Sequence, residues 1–214
     1  ILFYEPWGEQ SNDKFEPMVA TTRLADGSWS FDYKIFDLWV DYMAANGIDA
    51  NLECFTMVPW QPQYRYTDAA TGETLFLEAK PGSEAYRDLW TAFLTDFASH
   101  LRSRGLFDKT MIVMDERGLD DMLAAYAVAK AAVPDIKMSL AGSYHKELVD
   151  SLDCYTLIKG DFFPDDVISR RRDRDMLTLM YTCCATPAPS QFSNSAPADG
   201  AYLPVYATAT GHDG

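Results

Sequence analysis

The chain is poor in the residues that would announce a metal, redox or nucleotide chemistry. Its 214 residues hold three histidines and four cysteines. Cys54, Cys154, Cys183 and Cys184 make no CxxC zinc spacing and no dense disulfide framework. Three of them fall in apolar strand-like runs, where a free thiol behaves as a small core residue. The adjacent Cys183 and Cys184 leave open a strained vicinal disulfide. No HxH or HExxH pattern is present, so no metal site is expected. No GxSxG elbow supports a serine hydrolase. No GxGxxG or P-loop supports a nucleotide, and no cofactor is expected. Basic residues are also scarce, 18 against 32 acids, for a formal charge of −14. That balance disfavours nucleic acid or an anionic membrane surface as partner. The run Arg170-Arg171-Arg172 with Arg174 is a local exception, read as a solvated helix face. No apolar run approaches a membrane span. No signal peptide opens the chain, which begins inside a strand-like segment.

What the chain has is apolar and aromatic bulk, 48% and 14%, enough for a substantial core in a single domain over 1–214. Thr110 to Met114 is a continuous apolar run that reads as a strand buried on both faces, and it ends in Asp115-Glu116. Six such strands are expected: Ile1–Tyr4, Ala50–Thr56, Thr110–Met114, Ile136–Leu140, Cys154–Ile158 and Met176–Tyr181. Between them lie a helix capped by Ser28 or Ser30, with Phe31, Ile35, Leu38, Trp39, Tyr42 and Met43 as its apolar face and Asn46-Gly47 as its end. A hairpin is expected over Tyr64–Thr67 and Thr74–Leu77. A helix from Ser83-Glu84 buries Leu89, Trp90, Phe93, Leu94, Phe97 and Leu101. Another carries Leu119, Met122, Leu123, Tyr126 and Val133, stopped by Pro134. A short helix through Leu148, a basic one over Asp165–Arg172, a loop over Ala185–Pro197 and a last helix over Asp199–Thr210 complete the alternation.

Strands alternating with helices imply an α/β fold with a parallel sheet. The expectation is a (β/α)8 TIM-type barrel, in excerpt, with about six of its eight strands. In such a fold the carboxyl ends of the strands carry the chemistry. They supply Glu5, Trp7, Trp60, Asp115, Glu116, Tyr144, His145, Asp161 and Tyr181. Two carboxylates suit glycoside hydrolysis, one protonating the leaving oxygen and one stabilising the developing cation. Aromatic rings offer sugars a flat apolar face. Trp7 and Trp60, each beside a proline at a strand end, read as ligand contacts, whereas Tyr181, inside an apolar run, competes with a core reading. His145 alone is as compatible with a structural histidine as with a site residue. Asp115 or Glu116 could equally cap the helix that follows.

The run from Phe31 to Cys184 carries Phe31-Asp32-Tyr33 with Phe36-Asp37-Leu38-Trp39, Met57-Val58-Pro59-Trp60, Gly105 to Thr110, Met114-Asp115-Glu116-Arg117, Leu140 to His145, and Tyr181-Thr182-Cys183-Cys184. With these motifs it resembles the catalytic barrel of glycoside hydrolase family 123. The resemblance implies a retaining exo-glycosidase acting on β-linked 2-acetamido sugars of the N-acetylgalactosamine type by substrate-assisted catalysis. Glu116 would be the general acid/base and Asp115 the residue that orients the acetamido group. Trp7, Trp60, Tyr144, His145 and Tyr181 would contact an oligosaccharide substrate, and the protein would be periplasmic or extracellular. Arg117 stands where the characterised enzymes often have proline. Two other functions stay open: a two-carboxylate glycosidase with Glu5 as nucleophile, and a carbohydrate-binding barrel without catalysis.

Overall fold

The computed structural model describes residues 2, 16–183, 186 and 188–214. The chain folds as two compact units, Ile1–Lys137 and Met138–Gly214. Both are α/β, and each contains parallel strands. Among the described residues no helix is long and apolar enough to cross a membrane.

The first unit contains two sets of strands. β1 (Ala20–Arg23) pairs antiparallel with β2 (Trp29–Asp32) and parallel with β4 (Gln63–Asp68), which in turn pairs antiparallel with β5 (Thr74–Glu78). β4 and β5 are the expected hairpin. The second set is β3 (Leu52–Phe55) beside β6 (Thr110–Met114), parallel, with Phe55 opposite Val113. All five residues of β6 are buried, as their apolar character requires. Leu2 donates its N–H to the Phe55 carbonyl at 2.8 Å. The rest of the expected strand at Ile1–Tyr4 lies outside the described residues.

The connection from β3 to β6 runs through the hairpin and α2 (Glu84–Ser103). Ser83 caps α2, its Oγ accepting from the Tyr86 N–H at 3.2 Å. The predicted stripe Leu89, Trp90, Phe93, Leu94, Phe97 and Leu101 is buried throughout. Phe31 meets Phe93 edge-on at 5.2 Å, and Tyr33 stacks on His100 at 4.2 Å.

α1 (Lys34–Ala45) departs from expectation. No serine caps it: Ser28 bonds to Asp26 in the preceding turn, and Asp32 Oδ1 accepts from the Lys34 N–H. Phe31 belongs to β2. The helix buries Phe36 and Val40 while Ile35, Leu38, Trp39 and Tyr42 are 48–62% exposed. Its rotation follows polar contacts that hydropathy does not weigh. Asp37 lies on the Phe36–Val40 face and accepts from Arg104 Nη1 at 2.5 Å, with His100 Nε2 at 2.8 Å. The Asn46-Gly47 ending is as expected, with Gly47 at φ +80°.

α3 (Leu119–Ala132) follows β6. It buries Met122, Ala125, Val128 and Ala129 rather than the predicted Leu119, Leu123 and Tyr126, which are half-buried. Small residues on that face permit close helix packing.

In the second unit β7 (Lys137–Gly142), β8 (Cys154–Ile158) and β9 (Leu177–Tyr181) pair parallel in that order, with Ser139 opposite Cys154 and Cys154 opposite Leu177. The expected helix through Leu148 is instead a run of turns over 146–150. α4 (Asp165–Arg172) connects β8 to β9, and α5 (Pro197–Ala209) carries Pro204 inside it. After Gly211 the chain runs beside β9, the Asp213 N–H donating to the Thr178 carbonyl at 2.7 Å.

The basic run is only partly a solvated face. Arg170 pairs with Asp150 and Asp166, and Arg174 with Asp150. Arg171 is fully buried and donates to Thr178 Oγ1 and to the carbonyls of Val149, Leu152 and Leu177. Four acceptors make its burial tolerable. Cys54, Cys154 and Cys183 are free thiols, which leaves no vicinal disulfide at Cys183; Cys184 lies outside the described residues.

Candidate active site

β3 and β6 finish level with one another, so the residues after them emerge side by side. Met57 continues the pairing, its N–H donating to the Val113 carbonyl at 3.2 Å. Met57 and Val58 are buried. Two phenols fix the turn that follows: Tyr64 Oη and Tyr86 Oη both donate to the Met57 carbonyl, at 3.2 and 2.8 Å. This turn carries Trp60 to the end of β6. There the indole Nε1–H donates to Asp115 Oδ2 at 3.1 Å. The other oxygen, Oδ1, accepts from the Glu116 N–H at 2.9 Å. Asp115 is only 7% exposed, so these donors matter to a carboxylate that water reaches poorly.

Glu116 is exposed, yet its carboxyl is held above the usual carboxylate range. Partial desolvation is the larger cause and the neighbouring Asp115 anion the second. A carboxyl that keeps its proton longer than usual is suited to donate it to a leaving oxygen. Neither acid caps the next helix. Gly118 occupies the N-cap of α3, and no side chain bonds there. Arg117 turns its guanidinium over the Trp60 ring, 5.4 Å from the centroid. Trp60, Asp115, Glu116 and Arg117 thus form one cluster at the carboxyl ends of β3 and β6.

Trp7 and Glu5 lie outside the described residues. Tyr144 and His145 follow β7 in the second unit, both half-buried. Tyr144 meets Phe163 edge-on at 5.8 Å. The His145 N–H donates to Tyr155 Oη at 2.9 Å, and that hydroxyl donates to the Ser143 carbonyl at 2.6 Å. Tyr155 therefore pins the segment bearing both residues. Tyr181 ends β9 and lines a cavity of about 250 Å³ with Met180, Thr182, Gln191, Leu203 and Pro204. Among the described residues no group of three or more His, Cys, Asp or Glu side chains is placed to hold a metal ion.

Sequence reasoning missed Tyr64, Tyr86 and Tyr155 as supports. Their patterning marks them only as buried aromatics, and which carbonyl a phenol reaches is a tertiary fact. It also took Trp60 for a ligand contact alone, whereas its indole N–H holds an acid.

The sequence model of the glycoside hydrolase 123 catalytic domain matches residues 1–214. Among solved structures, the chain is similar to a family 123 glycoside hydrolase from Clostridium perfringens whose structure details glycolipid glycan hydrolysis. The two share 28% identity and a TM-score of 0.91, over 100% of this chain and 40% of the clostridial one. No protein of curated function matches.

Proposed function

The chain belongs to glycoside hydrolase family 123, and from that premise we propose that it is a retaining exo-glycosidase acting on β-linked 2-acetamido sugars of the N-acetylgalactosamine type. The observation that carries the reading is the Asp115-Glu116 pair at the end of a buried strand. One acid is buried and held by Trp60; the other is exposed, and desolvation and its neighbour favour its protonated form. In the proposed reaction Glu116 gives its proton to the glycosidic oxygen as the bond to the anomeric carbon breaks. The acetamido carbonyl oxygen of the same sugar supplies the electron pair that forms the new bond there. Asp115 accepts a hydrogen bond from the acetamido N–H and offsets the positive charge of the resulting oxazolinium ring. Glu116, now a carboxylate, takes a proton from water as the water opens that ring, and the sugar leaves with its configuration retained.

The same proposal extends to the (β/α)8 architecture and to Tyr144, His145 and Tyr181 as substrate contacts. Support for both comes from the family and from the position of these residues at the carboxyl ends of β7 and β9. The decisive experiment is Glu116→Gln assayed on an aryl 2-acetamido-β-galactoside. Loss of most turnover is expected for a poor leaving group, with partial retention for an activated one that needs no acid. Undiminished hydrolysis of both would remove Glu116 from the mechanism.

A further inference from the structure

Every arginine except Arg117 has a hydrogen-bonding or ion-pair partner. Arg23, Arg65, Arg102, Arg104, Arg170 and Arg174 meet carboxylates, and the remainder donate to main-chain carbonyls or to buried side-chain oxygens. In a chain of 32 acids this is the expected fate of a guanidinium. Among the described residues Arg117 has none. It is only half-buried, its Nε is shut off from solvent without a hydrogen-bond acceptor, and its guanidinium lies over the Trp60 face. That same indole holds Asp115 through its edge. A guanidinium is therefore held beside the acid pair with no hydrogen-bond acceptor among the described residues.

We propose that Arg117 is an oxyanion-binding residue of this site, and that the substrate class includes glycans bearing a sulfate or carboxylate close to the scissile bond. The inference rests on the glycosidase reading above. Its physics is local. Two adjacent carboxylates in a chain of net charge −14 repel an anionic sugar. A fork of N–H donors placed next to them offsets that repulsion and matches the geometry of sulfate and carboxylate oxygens. Stacking on an aromatic ring holds the fork in place before the ligand arrives. A cation meant only to balance Asp115 or Glu116 would be expected to reach one of them.

The test compares three substrates: a neutral aryl 2-acetamido-β-galactoside, the same glycoside sulfated on its sugar, and an unsulfated acetamido sugar linked to a uronic acid. With the wild-type protein kcat/KM should be higher for at least one anionic substrate than for the neutral one. Preference for the sulfated glycoside puts the oxyanion on the terminal sugar, and preference for the uronate puts it on the next. In Arg117→Gln the anionic-to-neutral ratio should fall by about ten- to a hundredfold, mainly through KM. Arg117→Lys should restore part of it, because charge remains but the fork is lost. Equal kcat/KM on all three substrates, or a preference that survives in Arg117→Gln, would overturn the proposal. If the wild-type protein hydrolyses none of the three, the glycosidase reading falls, and titration of the sulfated and unsulfated free sugars decides the inference alone. Tighter binding of the sulfated sugar, lost in Arg117→Gln, supports it; equal binding ends it.

Discussion

Replacing Trp60 by Phe separates the two jobs an indole can do at this site. The benzyl ring keeps a flat apolar face for a sugar and for the Arg117 guanidinium, but it has no N–H for Asp115. A hydrogen bond to a charged acceptor contributes roughly 1.5–3 kcal/mol. The 3.1 Å separation is at the long end of the N–H···O range, which favours the lower figure. Asp115 is 7% exposed, so water replaces the lost donor poorly. If the loss falls on the transition state, in which Asp115 must stay oriented and ionised, kcat/KM should drop about tenfold, since about 1.4 kcal/mol is one decade in rate. The assay is steady-state hydrolysis of an aryl 2-acetamido glycoside by Trp60→Phe and Trp60→Ala. The Ala variant should lose more, because it surrenders the ring as well. A Trp60→Phe protein within twofold of wild type would refute the reasoning and return Trp60 to a simple stacking role.

Three further outcomes are expected. Activity should fall as pH rises through the Glu116 value, which lies above 4.5 because the folded site favours the protonated form; in Asp115→Asn the Glu116 carboxyl followed by NMR should titrate lower, yet not fully down to 4.5, since desolvation is the larger cause. Arg171→Met should destabilise the fold by about 3 kcal/mol or more in urea unfolding, because buried acceptors on Val149, Leu152, Thr178 and Leu177 lose their donor together; a change below about 1 kcal/mol would mean that water or a neighbour satisfies them. Burial keeps the His212 imidazole below its ordinary 6.5. Above 6.5 folded and unfolded forms are both neutral there, while below it the unfolded chain takes up a proton that the folded one resists. Stability should therefore decline as pH drops under 6.5 toward the folded value, and His212→Phe should flatten that slope in thermal unfolding.

Where one physical term dominated, the residues announced their own structure. Thr110 to Met114 is apolar enough that burial on both faces is its only favourable state, and it is buried on both faces. Ser83 before a stripe of large apolar residues set the start and the inward face of α2. Asn46-Gly47 ended α1 because glycine takes the left-handed turn cheaply. The acid pair and its strand-end position were legible for the same reason.

Other features needed the folded chain, because they depend on groups distant in sequence. α1 presents Phe36 and Val40 inward, against its hydropathy, because Asp37 finds His100 and Arg104 more than sixty residues away. Arg171 and its neighbours are indistinguishable as letters, yet it is buried among carbonyls while Arg170 and Arg174 pair with acids at the surface. At the candidate site the sequence by itself determined which carboxylates stand together and that a buried strand delivers them. Only tertiary structure decided that an indole from β3's far turn grips one of them and leaves a guanidinium stacked beside it, since hydrogen bonds and ring contacts act over a few ångströms of space, whatever the length of chain between.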